Sequence, residues 1–243
     1  MNQPPLLPTK HLTLTSADDP LELLCRRLNV VKPTFKPGAS IPPTINLRVV
    51  KDAHVPSHVL AVFDTPESSW GPSYQPILVP IRADLYTQDF RTNIVPPSPP
   101  GTPFPVPHCV PLLDGQFVTL PVVPTLVPHA ASIPLLILFA FGLESRSHLL
   151  SCRLLPSEVI GEFPDAMVMA QSMAELCSDA QLTKYITFNQ GLWRNILALG
   201  PRDTQLIGMA QTAWNVTVEA RRIRLRATMN QSMDAGRDAP NHT

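Results

Sequence analysis

The chain of 243 residues contains no G-x-G-x-x-G, no Walker phosphate loop and no C-x-x-C pair, and each absence removes a class of function. Glycine-rich loops let backbone N–H groups close on a phosphate, so dinucleotide and nucleoside-triphosphate sites of the common kinds are not expected. The four cysteines, Cys25, Cys109, Cys152 and Cys177, are scattered. A zinc site needs closely spaced ligands, and the nearest approaches are His108 beside Cys109 and His148 four residues before Cys152. These cysteines read as small apolar side chains, and no metal or cofactor is expected. Charge of one sign is also missing. Nineteen basic against nineteen acidic residues leave nothing for bulk attraction to nucleic acid or an anionic membrane.

The longest apolar stretch, Ile133 to Leu143, falls short of the roughly 20 residues that span a bilayer. The start, MNQPPLLPTKHL, lacks the basic leader and apolar run of a secretion signal, so an intracellular protein without membrane contact is expected. The glycosylation-like triplets at Asn215, Asn230 and Asn241 are then accidental. Seven dispersed histidines give no nucleophile paired with a base, and no small-molecule substrate is evident. A non-enzymatic protein is expected. The alternative is an enzyme whose site is assembled from dispersed histidines and carboxylates.

What the chain has in excess is proline, and unevenly: twenty-four of twenty-nine lie at or before Pro128. Proline fixes φ and removes a donor, so long helices are largely excluded from the first half. Asp18-Asp19-Pro20 opens a short helix to about Val30 with Leu21, Leu24 and Leu28 as its inner stripe. Strands are expected at 44–50, 58–63, 76–81 and 116–123, rich in β-branched residues and stopped by Pro, Gly or Asp. Prolines beside or inside them point to edges and short ladders. The second half has helical periodicity. Ser132 and Pro134 start LLILFAFGLE, apolar on nearly every face and therefore central. Further starts fall at Pro156-Ser157, at Pro164-Asp165 and at Ser178-Asp179, the last ending at Gly200-Pro201. In the final helix Leu206, Met209, Ala213, Val216, Ala220 and Ile223 alternate spacings of three and four, and Trp214 and Val218 widen the apolar side.

The expected architecture is α+β: a proline-rich first half with a small irregular antiparallel sheet, packed on a mainly α-helical second half. The boundaries read 1–17 disordered tail, 18–131 strand-containing portion, 132–226 helical portion joined to it in one domain, and 227–243 disordered tail. The run VPPSPPGTPFPVPHCVP over 95–111 holds eight prolines and overlapping P-x-x-P patterns. Its first part reads as an exposed loop with Ser98 and Thr102 as candidate phosphorylation sites before proline. From Phe104 onward apolar residues recur, and the segment is expected to lie against the helical half.

Two further stretches carry candidate function. Asn189-Gln190-Gly191-Leu192-Trp193 places amides and a glycine inside a helical pattern, where glycine costs about 1 kcal/mol against alanine. Close backbone packing is one reading; a groove at Asn189, Gln190 and Trp193 is the other. Arg221, Arg222, Arg224 and Arg226 form the concentrated basic patch. It reads as a solvated helix end favoured by the macrodipole or as a nuclear-import patch, and only weakly as a direct DNA-binding surface.

Five phrases together resemble the clampless protein family of basidiomycete fungi: SSWGPSYQPILVPIRADLYT, IPLLILFAFGLE, LLPSEVIGEFPDA, NQGLWRNILALGPRD and QTAWNVTVEARRIR, spanning roughly residues 45–226. The resemblance implies a developmental regulator of the sexual cycle, associated with clamp-cell formation and dikaryon progression. It implies action in the nucleus through protein partners, such as mating-type homeodomain proteins or other transcription regulators. No catalytic residues come with it.

Overall fold

The computed structural model describes residues 19–36, 38–51, 53–65, 75–96, 104–111, 114–162 and 165–237, with residues 162 and 231–237 described by their backbone alone. The architecture is α+β, a small sheet joined to a helical body. Helix α1, Pro20–Arg27, is capped by Asp19, whose side chain accepts from Leu21 N, and it buries Leu21, Leu24 and the following Leu28.

The sheet has the order β1-β5-β2-β3, formed by β1 (Thr44–Arg48), β2 (His58–Asp64), β3 (Ile77–Ile81) and β5 (Gln116–Val127), with the short β4 (His108–Cys109) also pairing β5. It is mixed rather than antiparallel throughout. The first half of β5 runs antiparallel to β1, Arg48 opposite Phe117 and Thr44 opposite Pro121, whereas its second half runs parallel to β2, Val59 opposite Val122 and Asp64 opposite Val127. A parallel pair needs a long crossover. Here β3, the helix α2 (Ala83–Asp89) and β4 supply it. The strand also reaches four residues beyond the expected 123, because its second half pairs on β2, a partner that the local prolines do not reveal.

Beyond β5 a 3₁₀ turn at Ala130–Ser132 leads into α3 (Ile133–Ala140), all eight of whose residues are buried. This helix packs against α1, the 3₁₀ turn and a later helix, Asp179–Leu199. The remaining helices are α4 (Ser147–Leu154), α5 (Ser157–Glu162), α6 (Ala166–Leu176), α7 (Asp179–Leu199) and α8 (Thr204–Arg237). One buried apolar cluster runs from Leu24 in α1 through Val59 and Leu120 in the sheet to Ala220 in α8.

Two polar seams tie the sheet side to the helices. At the first, Arg91 N donates to Gly200 O (3.0 Å), Thr92 N to Leu199 O (3.1 Å) and Arg202 N to Asp89 O (2.8 Å). The end carbonyls of α7, orphaned by helix geometry, are thus satisfied by the loop after α2. The second is buried. Asn195, fully enclosed, accepts from His129 N (3.2 Å) and donates to His129 O (2.6 Å) and Ser132 Oγ (2.9 Å), while Ala130 N donates to Asp64 Oδ1 (2.6 Å).

Tyr86 of α2 is wholly buried, stacked on Phe90 with centroids 4.5 Å apart and edge-on to Phe141 at 6.4 Å. Its hydroxyl has no hydrogen-bond partner among the described residues, and burial pushes its pKa up, keeping it neutral. Leaving a buried hydroxyl unpaired costs about 1–3 kcal/mol. Tyr86→Phe is therefore expected to leave stability unchanged or raise it by about 1 kcal/mol in urea denaturation; a comparable loss would show that the hydroxyl is paired.

Between α3 and α4, Glu144 is buried and accepts from Arg146 Nε and an Arg146 terminal nitrogen, both at 3.0 Å, from Ser145 N and Arg146 N, both at 3.1 Å, and from Arg27 at 3.4 Å. The Arg146 side-chain bonds outweigh burial and pull its carboxyl down to about 2. A folded-state pKa below the ordinary glutamate value of about 4.3 gives stability that is complete above that value and lost as pH falls from there towards 2. The thermal midpoint is expected to fall less steeply across that window in Glu144→Gln than in the native chain. Parallel curves would remove Glu144 from this role.

Candidate interaction surface

The open side of the helical body follows from the register of α8. Asp203 Oδ1 accepts from Gln205 N (2.8 Å) and Leu206 N (3.1 Å), capping the first turn. Leu206, Ala210, Ala213, Val216 and Ala220 are buried, and α8 packs on α4, α6 and α7 along this side. Trp214 and Val218 are only half-buried, Leu225 is 52% and Met229 64% exposed, and their spacings of four, seven and four put them on one outward stripe. The first turn of α6, started by Asp165 accepting from Met167 N (2.8 Å), stands beside it. Met167, Trp214, Val218, Glu219 and Arg222 line a groove of about 400 Å³ there. A second cavity, about 340 Å³, lies among α4, α5, α6 and α8 with Leu154, Ile160, Met169 and Met209 in its walls.

The arginine cluster divides around this groove. It does not sit at a helix end, because α8 continues to Arg237. No proline interrupts residues 221–237 and the first glycine after the cluster is Gly236, so the backbone has no reason to stop near 226, where a tail is expected to begin. The macrodipole account therefore does not apply, since that effect is confined to a helix's last turn. Arg224 turns inward. It donates to Ala174 O (2.8 Å) and Cys177 O (2.5 Å) and pairs with Asp179, holding the α6–α7 corner. Arg222 and Arg226 both pair with Glu219, at 3.2 and 3.9 Å, and are exposed, as is Arg221.

The stretch 189–193 falls on α7. Asn189 is buried and donates to Leu154 O (2.9 Å), tying α7 to α4, while Gln190 and Trp193 are half-buried. Gly191 meets the side chain of His129 so closely that an added Cβ would lie 2.3 Å from its Cγ. The structure thus shows a close approach at Gly191, and the groove above is walled by Trp214 and not by Trp193. Asn195, four residues after Gly191, carries the buried seam, although the helical pattern around it offered no sign beyond an amide among apolar neighbours.

Ser98 and Thr102 lie outside the described residues. Phe104 and Val106 are 77% and 72% exposed, so this part of the proline run does not lie against the helical half. Instead Phe104 and Pro105 line a small cavity with Ser57, Arg82 and Asp84 on the strand side, and the chain then pairs with β5. The reason is the ladder: His108 and Cys109 bond to Phe117 and Gln116 and hold the segment on the sheet. Cys25 and Cys177 are buried, Cys152 is half-buried and Cys109 exposed, the last through its place in β4. Among the described residues no three His, Cys, Asp or Glu stand close enough to share a metal, and no helix is long and apolar enough to cross a membrane.

The geometry defines a class: an α+β protein whose helical part presents a largely apolar groove beside α8, with Glu219 and Arg222 as its charged lining. Residues 147–243 match the family described as Clampless protein 1 C-terminal domain. The match starts at the first residue of α4, covers α4 to α8, bears out the resemblance to the clampless family over residues 147–226, and reaches on through residues 227–243, which the phrase resemblance left out. No curated protein and no solved structure gives a significant match.

Proposed function

We propose that this protein is a non-enzymatic regulator of fungal sexual development, required for clamp-cell formation and dikaryon progression and acting through protein partners in the nucleus. Mating-type homeodomain proteins and other transcription regulators are the partner class. The observation that carries the reading is the family match over α4 to α8, the part of the molecule that presents the groove along α8. The test is deletion of the gene in a mating-competent basidiomycete, with clamp cells scored after reintroducing the native chain. Normal clamps in the deletion strain would overturn the proposal.

Nuclear entry is read through the exposed arginines. A fluorescent fusion carrying Arg221→Ala, Arg222→Ala and Arg226→Ala, with the corner residue Arg224 kept, is expected to lose nuclear accumulation while melting as the native chain does. Unchanged accumulation would end the import role.

A further inference from the structure

The outward stripe of α8 has the spacing of a helix-pairing seam. Trp214, Val218, Leu225 and Met229 span sixteen residues, about 22 Å of helix, and Arg221 occupies the seam position between Val218 and Leu225. The wall supplied by Met167, itself 51% exposed, makes the surface concave beside Trp214 and Val218. A helix lies in such a trough along its length, whereas a flat bilayer meets only the rim.

Charge selects the occupant. Arg222 and Arg226 border the stripe and Arg221 stands within it, with Glu219 as the acid among them, so three positive charges less one negative leave two positive along this face of α8. Arg224 is spent on Asp179 and on the carbonyls of Ala174 and Cys177, and the Asp165 carboxylate, which caps α6 by accepting from Met167 N, lowers the balance to one positive charge where it adjoins the groove. A second copy would bring this positive rim against its own likeness, with Arg221 inside the seam of both helices. Residues 1–18 of the same chain are no better matched, since they hold Lys10 and His11 against Asp18.

We propose that the groove along α8 receives an amphipathic helix of a partner protein, with apolar residues at i, i+4 and i+7 and acidic residues flanking them, an acid facing Arg221. This deepens the regulatory reading above and rests on it for the partner's role, while the docking itself is a property of the surface. Apolar anchors in the trough supply affinity and the charged rim supplies choice of partner and on-rate.

The full chain is titrated against two labelled synthetic helices of about four turns, identical in their leucine stripe, one flanked by glutamates and one by lysines. Fluorescence anisotropy is expected to show the glutamate helix binding at least about tenfold more tightly, a difference typical of charge selection at an interface. Leu225→Asp with Met229→Asp should abolish that binding without moving the thermal midpoint, because both side chains are exposed. Arg221→Glu with Arg222→Glu should reverse the preference towards the lysine helix. Equal binding of both helices would overturn the inference. So would concentration-dependent dimerisation, or binding to phosphatidylserine vesicles in place of peptide, that disappears in the Leu225→Asp variant. Failure of the peptide to bind while clamp formation still requires the gene would defeat this inference alone. Selective binding alongside normal clamps in the deletion strain would defeat the regulatory reading alone.

Discussion

Replacing Gly191 by alanine is expected to destabilise the protein by about 2–3 kcal/mol, the upper range for forcing extra volume into a packed interior. The sign is informative. In an ordinary helix interior the change from glycine to alanine stabilises by up to about 1 kcal/mol. Here the new Cβ would lie 2.3 Å from His129 Cγ, 2.4 Å from Nδ1 and 2.7 Å from Cβ. These are atoms at the root of the side chain, and they cannot swing clear. The His129 backbone is bonded to Asn195 on both its N–H and its carbonyl, and its ring stands edge-on to Phe188 with centroids 5.8 Å apart. Adding His129→Ala should recover part of the loss, and a double-mutant cycle by urea denaturation would read the coupling. A Gly191→Ala protein as stable as the native one would mean that α7 does not approach the turn as described.

Loss of Asn195 should be at least as severe. Asn195→Ala removes one acceptor and two donated bonds from a fully buried position and leaves His129 N–H, His129 O and Ser132 Oγ short of partners. Unpaired buried groups cost about 1–3 kcal/mol each. A total of about 3–5 kcal/mol is expected, a large part of the 5–15 kcal/mol that holds a typical domain together. Asn195→Asp is the sharper probe. It keeps an oxygen for His129 N–H but turns a second oxygen towards the carbonyl of His129, so it should fail like alanine despite matching in shape. An Asn195→Asp variant with a native midpoint in calorimetry would refute the buried seam.

How far the sequence foretold these features depends on where each helix finds its cap. Asp19, Asp165 and Ser178 cap α1, α6 and α7 from the adjoining residue, Ser178 in a reciprocal box with Gln181, and Gly200 ends α7 with φ of 62°. All four were legible. Helices α2 and α4 were not, and neither has a side-chain cap from its own N-cap residue, Arg82 or Arg146. Ala83 N at the head of α2 donates to Ser57 Oγ (2.8 Å), twenty-six residues away, and Glu144 gathers the N–H groups just ahead of α4. A cap that arrives through the fold leaves no local mark. The same limit hid the groove. Trp214 and Val218 were visible as a widening of the apolar side of α8, but which part of that side α6 covers is decided by packing. In the arginine cluster, spacing alone could not separate Arg224, held by the α6–α7 corner, from the three that stay exposed on α8.

The first seam also bears on the order in which the chain can assemble. Residues 89–92 take their backbone partners from residues 199–202, more than a hundred positions later. During synthesis the strand-bearing part leaves the ribosome well before the end of α7 exists, and contacts of such long separation close late. Until then water takes the place of these partners on the loop after α2, and the sheet side waits for the helices that complete it. A chain ending before residue 199 is therefore expected to lack this seam and to be less stable than the full chain.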